Sequence, residues 1–425
     1  LARVPNCRFM MYADMNQNNK ISNIFFDLFG VLLGVDQSVI VQYLSRLIEL
    51  PYICHYKNNA MQSMYFTEEH QLFRASLKDF LQKEVVPHID KWEETGTIER
   101  FIWKKFGDMG YFGLATPEQD GGLGLDLFYT IILLEELQKI NSGGFAAAIW
   151  AHAYLAMTHL NKEADSFLKE KYLRPSVDGV KIGCLCISEP FGGSDVAAMR
   201  TTAIKKGDHY VLNGSKTFIT NGVYADYMIV AAKTNPELGN KGISIFAVDR
   251  NSEGVTANKL NKLGWRASDT AELAFDNVKI PVENLMGVEN MGFSYIMEHF
   301  SLERLIMGVN AHARSEHVLE YALNYMSERE AFGKSINQFQ ALRHRVVDLY
   351  ADIDMCKEYN YSVAYKLDKG QYVVKEATIS KLKSTKVADE VAYECLQFLG
   401  GYGYIEDYPM ARNFRDSRLG PIGGG

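Results

Sequence analysis

Apolar positions along the chain change their period twice, and this divides most of the sequence into three regions. From Met64 to about Lys181 the spacing is helical. Thr67 followed by Glu68 and Glu69 predicts a helix start, since a hydroxyl can cap free N–H groups and acids suit the positive end of the dipole. Leu72, Phe73, Phe80 and Leu81 then recur at helical intervals until Pro87 ends the run. Phe128 to Leu137 and Phe145 to Leu160 are further apolar stretches of helical length, with Pro117 and Gly121-Gly122 marking a loop. From about Gly183 to Pro281 the period drops to two. His209 to Leu212, then Asn213-Gly214, then Ser215 to Ile219 predicts a hairpin with a two-residue turn. Tyr227 to Ala231, Ile243 to Val248 and Ala271 to Phe275 read as more short strands of an antiparallel β domain. From Met291 to Leu399 the pattern is helical again, in long segments with almost no proline.

The expected fold class is therefore α+β and multidomain. A helical domain spans 64–182, a β domain 183–290 and a helical bundle 291–425. This is not the alternating order of a Rossmann fold, so any dinucleotide must be held in another way.

Composition narrows the function without naming it. The chain has 425 residues, 47% apolar and 23% charged, with a net charge of −7. That suits a soluble globular protein of about three domains and excludes collagen, coiled coil and disorder. Forty-five basic against 52 acidic residues leave no basic excess, so no nucleic-acid partner is expected. Six cysteines form no disulfide framework, and Cys184-x-Cys186 alone is a poor zinc signal, which points to a reducing compartment. No apolar run approaches the roughly 18 residues of a membrane helix. The first twenty residues have neither a secretory core nor the make-up of a transit peptide. These features suggest the cytoplasm of a bacterium, or the mitochondrial matrix for a eukaryotic source.

Residues 1–63 read differently from the rest. Ile24-Phe25-Phe26-Asp27 followed by Gly30 resembles the first motif of haloacid-dehalogenase-like phosphatases, in which that Asp accepts the phosphoryl group. Phe29 stands where many members carry the general acid. The other reading is an apolar strand with an incidental Asp. The segment is expected to be an appendage, a fusion remnant, with Met61 or Met64 a natural start for the three domains after it. The ending Gly423-Gly424-Gly425 after Pro421 suggests an interrupted chain.

Two clusters carry chemistry. Cys186-Ile187-Ser188-Glu189-Pro190-Phe191-Gly192-Gly193-Ser194-Asp195 suits a loop whose backbone N–H groups approach a polar ligand. Gln397-Phe398-Leu399-Gly400-Gly401-Tyr402-Gly403-Tyr404 allows close backbone approach after a helix. Either cluster alone fits an ordinary turn equally well. Together, in this order and at this separation, they resemble the two signatures of the acyl-CoA dehydrogenase family. Lys216-Thr217-Phe218-Ile219-Thr220-Asn221-Gly222 and Arg329-Glu330-Ala331-Phe332-Gly333-Lys334 are similar to two further motifs of that family. The resemblance runs from about Met64 to the last residue.

This resemblance implies a helical N-terminal domain, a middle β domain, a C-terminal four-helix bundle, FAD and a homotetramer. It implies a base that removes the α-proton of an acyl-CoA thioester, while flavin N5 takes the β-hydrogen. Electrons then pass to an electron-transfer flavoprotein. The family's glutamate base occupies one of two sequence locations. Gly424 stands at the commoner one, so the base is expected at the other, within Ser301-Leu302-Glu303-Arg304-Leu305. The segment before it looks most like the long-chain branch. Helical spacing supports Glu303 separately. Ile296, Phe300, Glu303 and Met307 share one face, and a carboxylate on an apolar stripe gains a raised pKa. His299, four residues earlier, is a candidate partner.

The resemblance also assigns binding residues. Ile187, Ser188, Phe218 and Thr220 would lie near the flavin ring, and Ser194 in its loop. Arg329, Phe332, Gln340, Gln397 and Gly401 would bind the pyrophosphate and adenosine, partly across a subunit boundary. Ser194, Ser301 and Arg304 would meet the substrate, and the Gly424 N–H would polarise the thioester carbonyl. The expected activity is dehydrogenation of a medium- to long-chain straight acyl-CoA. The rivals are an isovaleryl-type enzyme, an oxidase on the same fold, and an impaired flavin- or acyl-CoA-binding fragment.

Overall fold

A computed structural model describes residues 64–424. The Asp27 motif and the expectations for residues 1–63 lie outside the described residues.

The N-terminal helices are α1 (Glu68–Glu84), α2 (Ile89–Thr95), α3 (Arg100–Asp108) and α4 (Leu127–Gln138). Thr67 caps α1 as its hydroxyl suggested. The reciprocal partner is His70, whose Nδ1 accepts from the Thr67 N–H at 3.0 Å. The apolar run over 145–160 forms α5 (Gly143–Trp150) and α6 (Met157–Glu163), joined without a break by π-helical turns over Ala151–Ala156. Such widened turns inside a helix often mark functional regions.

The middle domain holds β1 (Gly183–Cys186), β2 (Thr202–Lys206), β3 (His209–Thr220), β4 (Tyr227–Lys233), β5 (Ile243–Asp249), β6 (Val255–Lys259), β7 (Thr270–Pro281) and β8 (Leu285–Met286). Their order is β6-β7-β3-β2-β4-β5-β8, with β1 beside β4. The sheet is mostly antiparallel. The exceptions are the pairing of β1 with β4 and the one-residue pairing of β2 with β4, which are parallel. Strand β4 is buried on both faces for a physical reason. Tyr227, Ile229 and Ala231 pack toward the helices, whereas Met228, Val230 and Ala232 form the sheet's own core.

The structure corrects the expected hairpin at Asn213-Gly214. Both residues lie inside the single strand β3, at an irregularity in its pairing with β7. The turn sits earlier, at Gly207-Asp208, where Lys206 pairs with His209 and Gly207 takes a φ of 64°. Gly214 serves close approach instead, since a Cβ there would sit 2.5 Å from Thr201 Oγ1. Asn213 turns its side-chain oxygen to the Asn277 N–H at 2.8 Å.

The C-terminal domain consists of α7 (Gly292–Glu328), α8 (Gln340–Asp368), α9 (Val374–Leu399) and α10 (Pro409–Ser417). A small ribbon of β9 (Glu330–Ala331) and β10 (Lys334–Ser335) joins α7 to α8.

One carboxylate ties all three regions. Asp416 of α10 accepts from the Trp265 N–H at 2.6 Å and the Gly143 N–H at 2.9 Å. It lies 3.5 Å from Arg314 Nη1 of α7. Arg314 also donates to Gln138 of α4 through Nε (3.1 Å) and Nη2 (2.7 Å). All of this is buried except the half-buried Trp265. Removing one partner of a buried charge pair typically costs about 3–5 kcal/mol. Asp416→Ala is expected to lose stability of that order, read as a lower urea midpoint, with Asp416→Asn losing less. An unchanged midpoint for Asp416→Ala would show that the network bears no structural load.

Candidate active site

Glu303 sits about a third of the way along α7, two turns after Ile296 on the same stripe. Ile296 and Met307 are buried and Phe300 is partly buried. Glu303 itself is half-buried. Desolvation pushes its pKa up to about 7, against the opposing pull of Arg304 and Lys381. It has no hydrogen bond or ion pair among the described residues. A carboxyl left in that state is free to exchange a proton near neutral pH.

His299 is not its partner. His299 Nε2 lies 2.9 Å from Glu163 Oε1, and His159 Nδ1 lies 3.2 Å from Glu163 Oε2. The buried Glu163 carboxylate thus draws His299 away from Glu303 and toward α6. Sequence spacing of four misled here because a stronger partner approaches from another helix.

The end of the chain returns to the same stripe. Gly424 has a φ of 69°, and a Cβ on it would lie 2.5 Å from Met307 Sδ. Met307 is one helical turn after Glu303. Lys381 Nζ fastens the segment by donating to the Pro421 carbonyl at 3.2 Å. The two sequence locations singled out for a base therefore converge on one patch. A side chain at position 424 would require both a left-handed backbone and displacement of Met307.

Arg304 turns toward α9, donating to Thr378 Oγ1 at 3.0 Å with its guanidinium 5.6 Å from the Phe300 ring centre. Ser301 is buried on the preceding turn.

The middle domain supplies a second group. Ile187 and Ser188 follow β1 and are held by the end of β3. Lys216 Nζ donates to the Ile187 carbonyl at 3.0 Å, and the Thr217 N–H donates to the Ser188 carbonyl at 2.9 Å. Lys216 is fully buried and pairs with Glu189 Oε1 at 2.9 Å. Glu189 also accepts from the N–H groups of Arg200 (2.7 Å) and Thr201 (3.0 Å). Burial by itself would raise the Glu189 pKa, but Lys216 and these donors bring it below the usual value. Sequence reading missed this pair. Its signal was a lysine at an inward position of an alternating strand, with Glu189 already in the ligand loop.

Phe218 stands where β3 shifts register against β7. It has a φ of 61° and is 72% exposed. A non-glycine residue in that backbone region is strained. Thr220 is half-buried two residues on, opposite Thr270. Asn221 Nδ2 fastens this edge to α5 through the Ala148 carbonyl at 2.9 Å. Ser194 lies exposed in the neighbouring glycine loop.

The third group lies on the C-terminal domain. Arg329, Gln397 and Gly401 line one open cleft with Tyr325, Ile336 and Tyr402. Phe332 is 96% exposed between β9 and β10, with a φ of 55°. Gln340 is exposed at the first turn of α8. A Cβ added at Gly193 or Gly401 would meet nothing within 4 Å. Packing within the chain therefore does not explain these glycines, and their backbone is left open to an external group. Exposed aromatic rings, bare glycine backbone and the Arg329 cation fit a planar, anionic dinucleotide. Among the described residues, no helix is long and apolar enough to cross a membrane.

Known proteins agree with this arrangement. The N-terminal, middle and C-terminal domain models of acyl-CoA dehydrogenases match residues 67–180, 184–278 and 290–425. Mitochondrial isovaleryl-CoA dehydrogenase of Pongo abelii is 38% identical over 365 residues, covering 84% of this chain and 86% of that protein. Mitochondrial long-chain specific acyl-CoA dehydrogenase of Mus musculus is 36% identical over 370 residues, covering 85% and 84%. An acyl-CoA dehydrogenase structure from Geobacillus kaustophilus superposes with a TM-score of 0.83 at 38% identity, covering 85% of this chain and 96% of that one. With the desolvated, unpaired Glu303 and the open glycine clefts already in place, these matches show that the chain belongs to the acyl-CoA dehydrogenase family, as an FAD-dependent enzyme acting on acyl-CoA thioesters.

Proposed function

We propose that Glu303 is the catalytic base and that the acyl group is a straight chain of medium to long length. The observation that carries the base assignment is the isolated Glu303 carboxyl, with a pKa of about 7, one turn from the residue that touches Gly424, while similarity to long-chain specific relatives supports the chain length. In its ionised form Glu303 takes the α-proton of the thioester. The electron pair of that C–H bond forms the new Cα=Cβ bond as the β-hydrogen leaves with its own pair. FAD, when bound, supplies the acceptor for that β-hydrogen. The Gly424 N–H donates to the thioester carbonyl, which places positive charge where the enolate oxygen develops. This acidifies a carbon that a carboxylate could not otherwise deprotonate.

The remaining residues hold the reactants. Lys216 and Glu189 fix the Ile187–Ser188 backbone beside the flavin site, and Phe218 and Thr220 border it. Ser194 and Arg304 meet the CoA part of the substrate, and Ser301 contributes to the substrate site. Arg329, Phe332, Gln340, Gln397 and Gly401 hold the dinucleotide's phosphates and adenosine, partly for a neighbouring copy in a homotetramer. Electrons leave to an electron-transfer flavoprotein. The enzyme acts where acyl-CoA is oxidised, in a bacterial cytoplasm or the mitochondrial matrix. A second reading, an isovaleryl-type enzyme, shares the base, and relatives of both branches match at 36–38% identity.

Glu303→Gln keeps the shape and removes the base. Turnover is expected to fall about 10²–10⁴-fold, with FAD content intact. Wild-type rates of flavin bleaching by acyl-CoA in this variant would overturn the assignment. The wild-type kcat/KM is expected to rise with pH through about 7, as Glu303 ionises.

Stability gives a separate readout of the same carboxyl. Its folded pKa lies above the usual 4.5, so the folded state binds more proton than the unfolded state between about 4.5 and 7. Folding stability contributed by this group therefore declines as pH rises through that window. Glu303→Gln escapes the penalty and is expected to melt above wild type at pH 8, by more than at pH 5. Equal differences at both pH values would show that the carboxyl is not desolvated.

A further inference from the structure

Three side chains that the reaction does not use meet where α6 packs on α7. His159 and Glu163 stand four residues apart on α6, so they share one face, one turn apart. His299 comes from the second turn of α7. Glu163 is the hub. His299 Nε2 lies 2.9 Å from its Oε1 and 3.2 Å from its Oε2, and His159 Nδ1 lies 3.2 Å from Oε2. One nitrogen of each ring and a carboxylate oxygen all lie within 4.8 Å of one another. The two rings meet edge-to-face with centroids 4.4 Å apart, so they address the carboxylate from two directions.

Two features set this trio apart from an ordinary buried ion pair. The side chains of His159, Glu163 and His299 are only 2%, 6% and 13% exposed, yet among the described residues no lysine or arginine pairs with Glu163. A carboxylate removed from water normally needs an opposite charge, and here it meets two imidazoles. The donor set is also selective. Two imidazoles and one carboxylate suit Zn²⁺ and neighbouring transition metals, whereas Ca²⁺ and Mg²⁺ call for oxygen ligands. Burial, helped by His299, pushes the His159 pKa below its usual value. That favours the neutral ring, which is the form that binds a metal.

The spacing fits as well. With bonds of about 2.0–2.1 Å, tetrahedral zinc ligands stand roughly 3.4 Å apart, and the nitrogen–oxygen distances here need to open by no more than about half an ångström. The backbone around the trio is fixed in advance. The Glu163 carbonyl accepts from the Gly287 N–H at 2.8 Å. Gly287 has a φ of 64° and lies against α7, where a Cβ on it would come 2.8 Å from the Tyr295 hydroxyl oxygen. That hydroxyl accepts from the Val288 N–H at 3.1 Å. The end of α6 and the first turns of α7 are thus locked together, with the ligating atoms between them. His299 is the most exposed of the three and leaves a fourth position to water.

We infer that His159, Glu163 and His299 form a binding site for one divalent transition-metal ion, Zn²⁺ by preference, which ties α6 to the helix that bears Glu303. On binding, the proton that each ring gives to Glu163 moves to that ring's other nitrogen, so both rings stay neutral and the ion's charge offsets the carboxylate. The inference does not depend on the acyl-CoA reading.

The test uses the FAD-loaded enzyme, stripped with a chelator and titrated with ZnCl₂ by calorimetry. Bound zinc is counted by elemental analysis after gel filtration. One Zn²⁺ per chain is expected, with a melting temperature that rises with Zn²⁺ concentration. A group that merely orients a metal ligand is typically worth about 10–100-fold in affinity. Glu163→Gln and His299→Ala each remove a ligand, so each is expected to weaken binding by about 100-fold or more and to abolish the thermal shift. His209→Ala, at a histidine outside the trio, is expected to change neither. Co²⁺ in place of Zn²⁺ should give the strong visible bands of a four-coordinate ion in wild type and not in Glu163→Gln. Zinc held equally by wild type and Glu163→Gln, or no zinc retained by wild type, overturns the inference. If a variant fails to fold, the wild-type Co²⁺ spectrum decides, and the weak bands of a hydrated six-coordinate ion overturn the site.

Discussion

The Asp416 carboxylate is the constraint on which the rest of the structure depends. It meets a helix start at Gly143, a strained tryptophan at Trp265 and a buried cation at Arg314, each from a different region of the chain. A carboxylate buried this deeply is tolerable only when its oxygens are answered, and here two N–H groups and a guanidinium answer them. The three regions are then held at one relative position. That position puts the α5 backbone, the Trp265 ring and the α7 helix around a common cavity.

The same logic, with the opposite outcome, explains Glu303. Other buried carboxylates of the described residues have close partners. Glu163 has two histidines, Glu189 has Lys216 and two backbone donors, and Asp416 has its own set. Among the described residues Glu303 has only the pull of the Arg304 and Lys381 charges, and its proton is correspondingly hard to remove. Fully paired, it would be ionised well below neutral pH and a poor base. His299, four residues before it, is held by Glu163 instead.

Much of the fold was legible because periodicity survives in long elements. The helical stripes of α1, α4 and α7 and the β4 and β5 runs appear where the spacing put them. The Asn213-Gly214 turn failed because the dipeptide has two physical uses. Its glycine was needed for contact with Thr201, and Gly207-Asp208 took the turn. The Lys216–Glu189 pair was hard to see because a lysine side chain declares its burial only when the strand has neighbours. The positive φ of Phe218 and Phe332 was invisible for a related reason. Nothing in a phenylalanine predicts a backbone state that its own Cβ resists.

Local chemistry could be read from residue order alone. It identified the element sequence, the glycine loops, the family resemblance and Glu303 on an apolar face, because each depends on neighbours within a few turns. Distance in space had to come from packing. The approach of Gly424 to Met307, the capture of His299 by Glu163 and the joining of three regions at Asp416 involve partners up to 273 residues apart. Which of several available partners a buried charge takes depends on desolvation and geometry in the closed core, and neither exists until the chain has folded.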